Sequence, residues 1–243
     1  MKRAILIMIV LLWSAAMVAA KDAGQPSFTM RYYGNFKKMI QENNFEGVVE
    51  LERALSGPHV YAVGIIKNAE GEITALDGEA WLNYGKDGIN KTISQIKKGE
   101  KASLLITANV ERWQTIAIPA DMSENEFYAF VFEQARRSGL NIKSPFPFLV
   151  EGKIKKLVWD VLDGTDTETG KKNNQLFLRK LVGYREEAPV VLLGFYPAEM
   201  QNEFDYPGEL WHIHVFFKDD NNTGHANAFS ILKGSKLELP ARQ

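Results

Sequence analysis

From Phe148 to Leu232 the chain is close to continuous in strand-forming residues, and this constrains its fold more than any other feature. The runs Phe148–Val161, Gln175–Tyr184, Pro189–Tyr196, Glu209–Phe217 and His225–Leu232 are rich in β-branched and aromatic side chains. The connections between them are mostly short and polar. The longest, Asp163–Asn174, reads as a turn-rich loop. Strands joined in this way pair antiparallel. The first half adds His59–Ile66, Ile73–Leu76 and Glu79–Tyr84, with Asp77-Gly78 as a tight turn between the last two. Ser103–Val110 and Trp113–Ile118 read as a further antiparallel pair.

Helical signals are few. Asn35–Asn44 carries Phe36, Met39 and Ile40 at helical spacing, and Val48–Leu55 reads as a second short helix. The clearest helix is Glu124–Ser138. Ser123 caps it, Glu126 closes a capping box, Met122 and Phe127 occupy the staple positions, and Gly139 stops it. Its buried stripe is Phe127, Phe130, Val131 and Ala135. The expected class is therefore α+β, a mostly antiparallel or mixed β-sheet with a few helices, in one domain over 21–243. A two-lobed arrangement would put its waist near Gly139–Pro147.

Composition excludes several function classes. With 45% hydrophobic and 24% charged residues the chain is neither disordered nor fibrous. Its 29 Lys and Arg against 30 Asp and Glu give a formal charge of −1, so no basic excess exists to bind nucleic acid. There is no cysteine, hence no disulfide, thiolate metal site or cysteine nucleophile. Lys2 and Arg3 precede an apolar run that ends in Val18-Ala19-Ala20, the pattern of a cleavable signal peptide over 1–20. The mature chain is then expected to be secreted or periplasmic and free of the membrane. No Gly-x-Ser-x-Gly elbow and no phosphate loop are present.

Three of the four histidines crowd one segment, Leu210-Trp-His-Ile-His-Val-Phe-Phe-Lys-Asp-Asp-Asn-Asn-Thr-Gly-His225. His212 and His214, two apart on a strand, project to one face about 6.5–7 Å apart. Lys218–Gly224 has the composition of a hairpin turn. A turn centred between Asp219 and Asp220 sets His225 directly opposite His214, so all three imidazoles share one sheet face. Such a set suits a metal with an open position, most plausibly zinc. His59 stands apart after Gly57-Pro58 and reads as structural. Glu79, beginning a strand beside Ala80-Trp81, is a candidate fourth ligand or general acid.

Taken together, these two segments resemble the acetolactate decarboxylase family. The family carries Gly-x-(Phe/Ile)-x-x-Leu-Asp-Gly-Glu in its first half, then His-x-His and a third histidine preceded by glycine. Here these are Gly71-Glu-Ile-Thr-Ala-Leu-Asp-Gly-Glu79, His212-Ile-His214 and Gly224-His225. Gly152-Lys-Ile-Lys-Lys156 and Leu193-Gly194-Phe195 are similar to two further strands of the family. The resemblance implies a two-lobed fold with Zn2+ on His212, His214 and His225, and decarboxylation of 2-acetolactate to acetoin. Glu79 would then be the acid, or a metal or substrate ligand.

The expected partner is a small-molecule substrate, and a homodimer is compatible with the chain. Two departures stand out. Asp160 falls where the family has an arginine able to hold the substrate carboxylate, and the family's late glutamate has no match, Glu238 being too early. These departures define the alternative, a non-catalytic or differently specific zinc-binding relative that binds a small molecule.

Overall fold

A computed structural model describes residues 28–166, 177–200 and 211–242. The expected signal segment and residues 167–174 of the expected loop lie outside them. In chain order the elements are β1 (Phe28–Tyr33), α1 (Phe36–Glu42), β2 (Val49–Glu50), α2 (Leu51–Ala54), β3 (Val60–Ile66), β4 (Gly71–Leu76), β5 (Glu79–Tyr84), β6 (Thr92–Ile93) and β7 (Lys101–Val110). There follow β8 (Trp113–Ala117), β9 (Met122–Ser123), α3 (Glu124–Arg137), β10 (Phe146–Asp166), β11 (Phe177–Glu186), β12 (Pro189–Tyr196), β13 (His212–Phe217), β14 (Thr223–Ile231) and β15 (Lys236–Pro240). Among the described residues no helix is long and apolar enough to cross a membrane.

The strands form two antiparallel sheets, as the α+β expectation required. The first runs β1-β7-β3-β4-β5-β6, with β2 also on β7. The second runs β8-β15-β10-β12-β13-β14-β9, with β11 on β10. The sheets change over at Glu111-Arg112, so the boundary of the two lobes falls there and not near Gly139–Pro147. The expected pairing of Ser103–Val110 with Trp113–Ile118 is corrected for a related reason. β7 already has β1 on one edge and β3 on the other, so β8 crosses over and pairs with β15.

β10 organises the second sheet. Its 21 residues are too long for one flat partner set. Residues Phe146–Lys153 pair with β12, and Ile154–Asp160 pair with β14, with register shifts at Ile154/Lys156 and Val158/Trp159. Bulges of this kind bend a strand and add twist. Since β12 pairs with β13 and β13 with β14, the bent strand closes a hydrogen-bonded circuit β10-β12-β13-β14.

Alternation of side chains then gives three cores. Ile213, Val215 and Phe217 of β13 share one core with Phe148 and Trp159 of β10 and Leu192 of β12, which Phe127, Val131 and Ala135 of α3 also join. Leu193 and Phe195 of β12 point the other way, between the sheets, against Val63, Ile65 and Ile106. Ile73, Ala75 and Leu82 fill the far side of the first sheet under α2. β13 is thus buried on both faces, which is why its six residues are all inaccessible.

Helix α3 starts as its sequence dictates. The Ser123 N–H donates to Glu126 Oε2 at 2.8 Å. Phe127, Val131 and Ala135 are buried, whereas Phe130 is only partly so. The Asp77-Gly78 turn also forms as read: both residues have positive φ, 51° and 84°, as a two-residue hairpin turn requires.

Phe127 is the anchor of α3, its ring meeting Phe148 at 5.9 Å and Phe229 at 5.6 Å between centroids. Replacing it with alanine opens a cavity in a packed core. Phe127→Ala should lose about 3–5 kcal/mol of folding stability in urea or thermal melts.

Candidate metal centre

The register expected from the turn is the one observed: His214 lies opposite His225. All three histidines are buried, and all face the first sheet. Ring centroids are 5.1 Å apart for His212–His214, 5.1 Å for His212–His225 and 5.8 Å for His214–His225. The Nε2 atoms of His212 and His214 stand 3.2 Å apart. Among the described residues no three or more His, Cys, Asp or Glu side chains already have the spacing of a coordination sphere. What exists is a compact cluster of imidazoles.

Two local features hold the hairpin. Arg185 lies 4.0 Å over the Phe217 ring and pairs with Asp219 at 3.2 Å and with Asp220, clamping both carboxylates of the turn. Gly224, just before His225, has the backbone against β10. A Cβ there would come 2.5 Å from the Asp160 carbonyl oxygen and 2.7 Å from the Trp159 ring, so no side chain fits.

The first sheet supplies the opposite wall. In the β4–β5 hairpin Glu72 pairs with Asn83, Thr74 with Trp81 and Leu76 with Glu79, so these six side chains share one face. That face meets the histidine hairpin. Trp81 packs on Phe216 at 4.4 Å between centroids. Asn83 Nδ2 donates to Asn222 Oδ1 and to the Thr223 carbonyl, both at 2.9 Å. Thr74 Oγ1 is 2.9 Å from His214 Nδ1 and 2.6 Å from Thr223 Oγ1, and Thr223 Oγ1 donates to the Val215 carbonyl at 2.7 Å.

One proton assignment satisfies every member of this chain. The Val215 carbonyl can only accept, so the Thr223 proton goes there. Thr223 then accepts from the Thr74 hydroxyl, and Thr74 accepts from His214 Nδ1–H. With that tautomer His214 Nε2 is an acceptor facing His212 and Glu72.

Glu72, Asp160, His212 and His225 line a small cavity of about 10 Å3 with Phe36, Ile65 and Leu162. Both carboxylates are buried. Glu72 Oε2 is 3.5 Å from His214 Nε2, and Oε1 accepts from the Leu162 N–H at 3.3 Å. Burial pushes the Glu72 carboxyl up to about 7. The charge of Asp160 adds to the rise, while His225, His212 and Lys180 oppose it. Asp160 sits opposite His225 in register and accepts from Lys180 Nζ at 3.0 Å.

The structure therefore brings together the three histidines and adds residues that the sequence left unremarked: Glu72, Thr74, Thr223 and Lys180. It does not bring Glu79 into the cluster. Glu79 is exposed at the start of β5, on the inner face but at its turn end, and does not line the cavity. His59 is also apart, with its N–H on Asp77 Oδ1 at 2.9 Å and its ring 3.2 Å from the same oxygen.

Thr74→Val removes the group that both His214 and Thr223 use, leaving buried polar atoms unmatched. It should cost about 1–3 kcal/mol in urea melts with little change of volume.

Known proteins share this architecture. A protein from Staphylococcus aureus described as similar to alpha-acetolactate decarboxylase aligns with a TM-score of 0.66 at 16% identity, over 86% of this chain and 84% of its own. Acetolactate decarboxylase from Bacillus subtilis subspecies spizizenii aligns with a TM-score of 0.67 at 16% identity, over 88% and 86%. The enzyme from Bacillus subtilis strain 168 gives 0.67 at 15%, over 88% and 85%. At such identities these likenesses speak for the fold. No curated protein sequence matches the chain. The family profile described as alpha-acetolactate decarboxylase matches residues 35–241, from the N-cap of α1 to the end of β15, and the chain belongs to that family.

Proposed function

We propose that the chain is a zinc-dependent carboxy-lyase that converts 2-acetolactate, or a related 2-hydroxy-3-oxo acid, to acetoin or its analogue and carbon dioxide. His212, His214 and His225 would hold the metal. The observation that carries this reading is the 3.2 Å approach of the His212 and His214 Nε2 atoms, with His225 beside them, in a buried cluster. Two nitrogens each about 2.0–2.1 Å from a tetrahedral zinc stand about 3.3 Å apart, so the pair fits one shared ion. The donor from His214 Nδ1 to Thr74 fits as well, since metal-ligating histidines commonly fix their second nitrogen in this way.

Zinc held by His212, His214 and His225 would supply Lewis acidity toward a keto oxygen and the negative charge developing on it. The chain's own residues do the rest. Phe36, Ile65 and Leu162 wall the cavity with apolar surface, which excludes water and strengthens every charge interaction inside. The family resemblance gives proton delivery to carbon to Glu79, which lies on the same hairpin face but at its exposed turn end, outside the cavity lining, so the role requires the substrate to extend from the cavity toward that end.

A second reading is a zinc-binding relative that takes another small molecule or does not turn it over. One observation favours it: where the family resemblance calls for an arginine, a buried Asp160 already engages Lys180 at 3.0 Å. A cation held by a carboxylate grips a substrate carboxylate less firmly than a guanidinium aimed at it.

Purified protein with zinc and acetolactate should form acetoin above the uncatalysed rate. Zinc should be stoichiometric in the wild type and lost in His212→Ala, and Glu79→Gln should slow turnover by about 100-fold or more. Bound zinc without acetoin, together with ligand-dependent thermal stabilisation, supports the second reading. Equal zinc in wild type and His212→Ala ends the assignment of the site. Export is part of the proposal, on the strength of the Lys2-Arg3 start and the apolar run ending at Ala20. N-terminal sequencing of protein recovered outside the cytoplasm should begin at Lys21.

A further inference from the structure

We propose that Glu72 is a fourth protein ligand of the metal, so that the ion is held by three imidazoles from the second sheet and one carboxylate from the first. This rests on the metal-site reading above and goes beyond it. Glu72 comes from β4, across the sheet interface from His212, His214 and His225. Its two oxygens have different surroundings: Oε1 takes the Leu162 N–H at 3.3 Å, and Oε2 lies 3.5 Å from His214 Nε2. The second distance is close to the roughly 3.3 Å between donors on one tetrahedral ion.

Charge points the same way. A buried carboxylate is costly unless a cation or several donors meet it. Asp160 has Lys180 at 3.0 Å. Glu72 has one backbone N–H and the His214 ring. The Thr74–Thr223–Val215 chain holds the His214 proton on Nδ1, so His214 Nε2 is an acceptor, with His212 Nε2 at 3.2 Å and Glu72 Oε2 at 3.5 Å beside it. Glu72, His212 and His225 also line a cavity of about 10 Å3, a size that suits a small cation. A divalent ion in such a set keeps one net positive charge, where three neutral imidazoles alone would leave two. The mixed nitrogen and oxygen donors also suit cobalt and manganese alongside zinc.

Cobalt is the probe. Chelator-stripped wild type, Glu72→Gln, Glu72→Ala and His212→Ala are each titrated with Co2+ and followed by calorimetry, visible absorption and thermal melting. Circular dichroism of the metal-free forms establishes that each is folded. Wild type is expected to bind one equivalent. Both Glu72 variants should bind at least about tenfold more weakly, with an altered cobalt spectrum and a smaller metal-dependent rise in Tm. Wild-type affinity and an unchanged spectrum in both Glu72 variants, alongside lost binding in His212→Ala, overturn the fourth ligand and leave the three-histidine site standing. No cobalt or zinc on the wild type overturns both. The wild type alone gives an independent measure: a crystal structure of the zinc form should have a Glu72 oxygen about 2.0–2.2 Å from the ion, and one beyond about 3 Å overturns the inference.

Discussion

The pairing of His214 with His225 is the constraint on which the rest of the molecule turns. Side chains on a strand alternate, so a slip of one residue would send the imidazoles to the opposite face. β13 tolerates no such slip. Its odd residues, Ile213, Val215 and Phe217, are packed in the core of the second sheet with Trp159 and Leu192, and His214 and Phe216 on its other face meet the β4–β5 hairpin. The turn is fixed from outside by Arg185 on Asp219 and Asp220, and from inside by Asn83 on Asn222 and Thr223. The apolar packing that stabilises the fold thus also sets the face on which the polar chemistry is displayed.

The interface between the sheets is accordingly of two kinds. Toward β1, β3 and β7 it is an ordinary apolar core, with Val63, Ile65 and Ile106 against Leu193 and Phe195. Toward β4 and β5 it becomes polar, with Glu72, Thr74 and Asn83 buried against His214, Thr223 and Asn222. Buried polar groups are stable only when matched, and matching demands one geometry. The polar half therefore defines how the sheets dock, while the apolar half supplies most of the attraction between them.

Much of this was legible in the sequence. The β-branched and aromatic runs joined by short turns read as antiparallel strands, the Ser123–Glu126 box marked the start of α3, and a turn centred between Asp219 and Asp220 placed His225 opposite His214, as the structure has it. Glu72 was not legible. In Gly71–Leu76 the apolar Ile73 and Ala75 alternate with Glu72 and Thr74, which reads as a half-solvated strand. That its polar face is covered depends on a second sheet whose contacting residues lie 90 to 149 positions further along the chain. Glu79 was conspicuous because it follows a turn signal, and turn ends are where strands meet solvent. The mispairing of β7 with β8 has the same origin: a two-residue gap looks like a hairpin, and only the whole sheet reveals that both edges of β7 are taken.

The bent strand β10 has a mechanical consequence. Sheets come apart from their margins, where an outer strand frays one hydrogen bond at a time. Because β10 pairs with β12 at one end and β14 at the other, the inner hairpin has no such margin from which to unzip. Solvent reaches its amides only when the whole ring loosens cooperatively, so the backbone beneath the histidines belongs to the slowest-breathing part of the molecule.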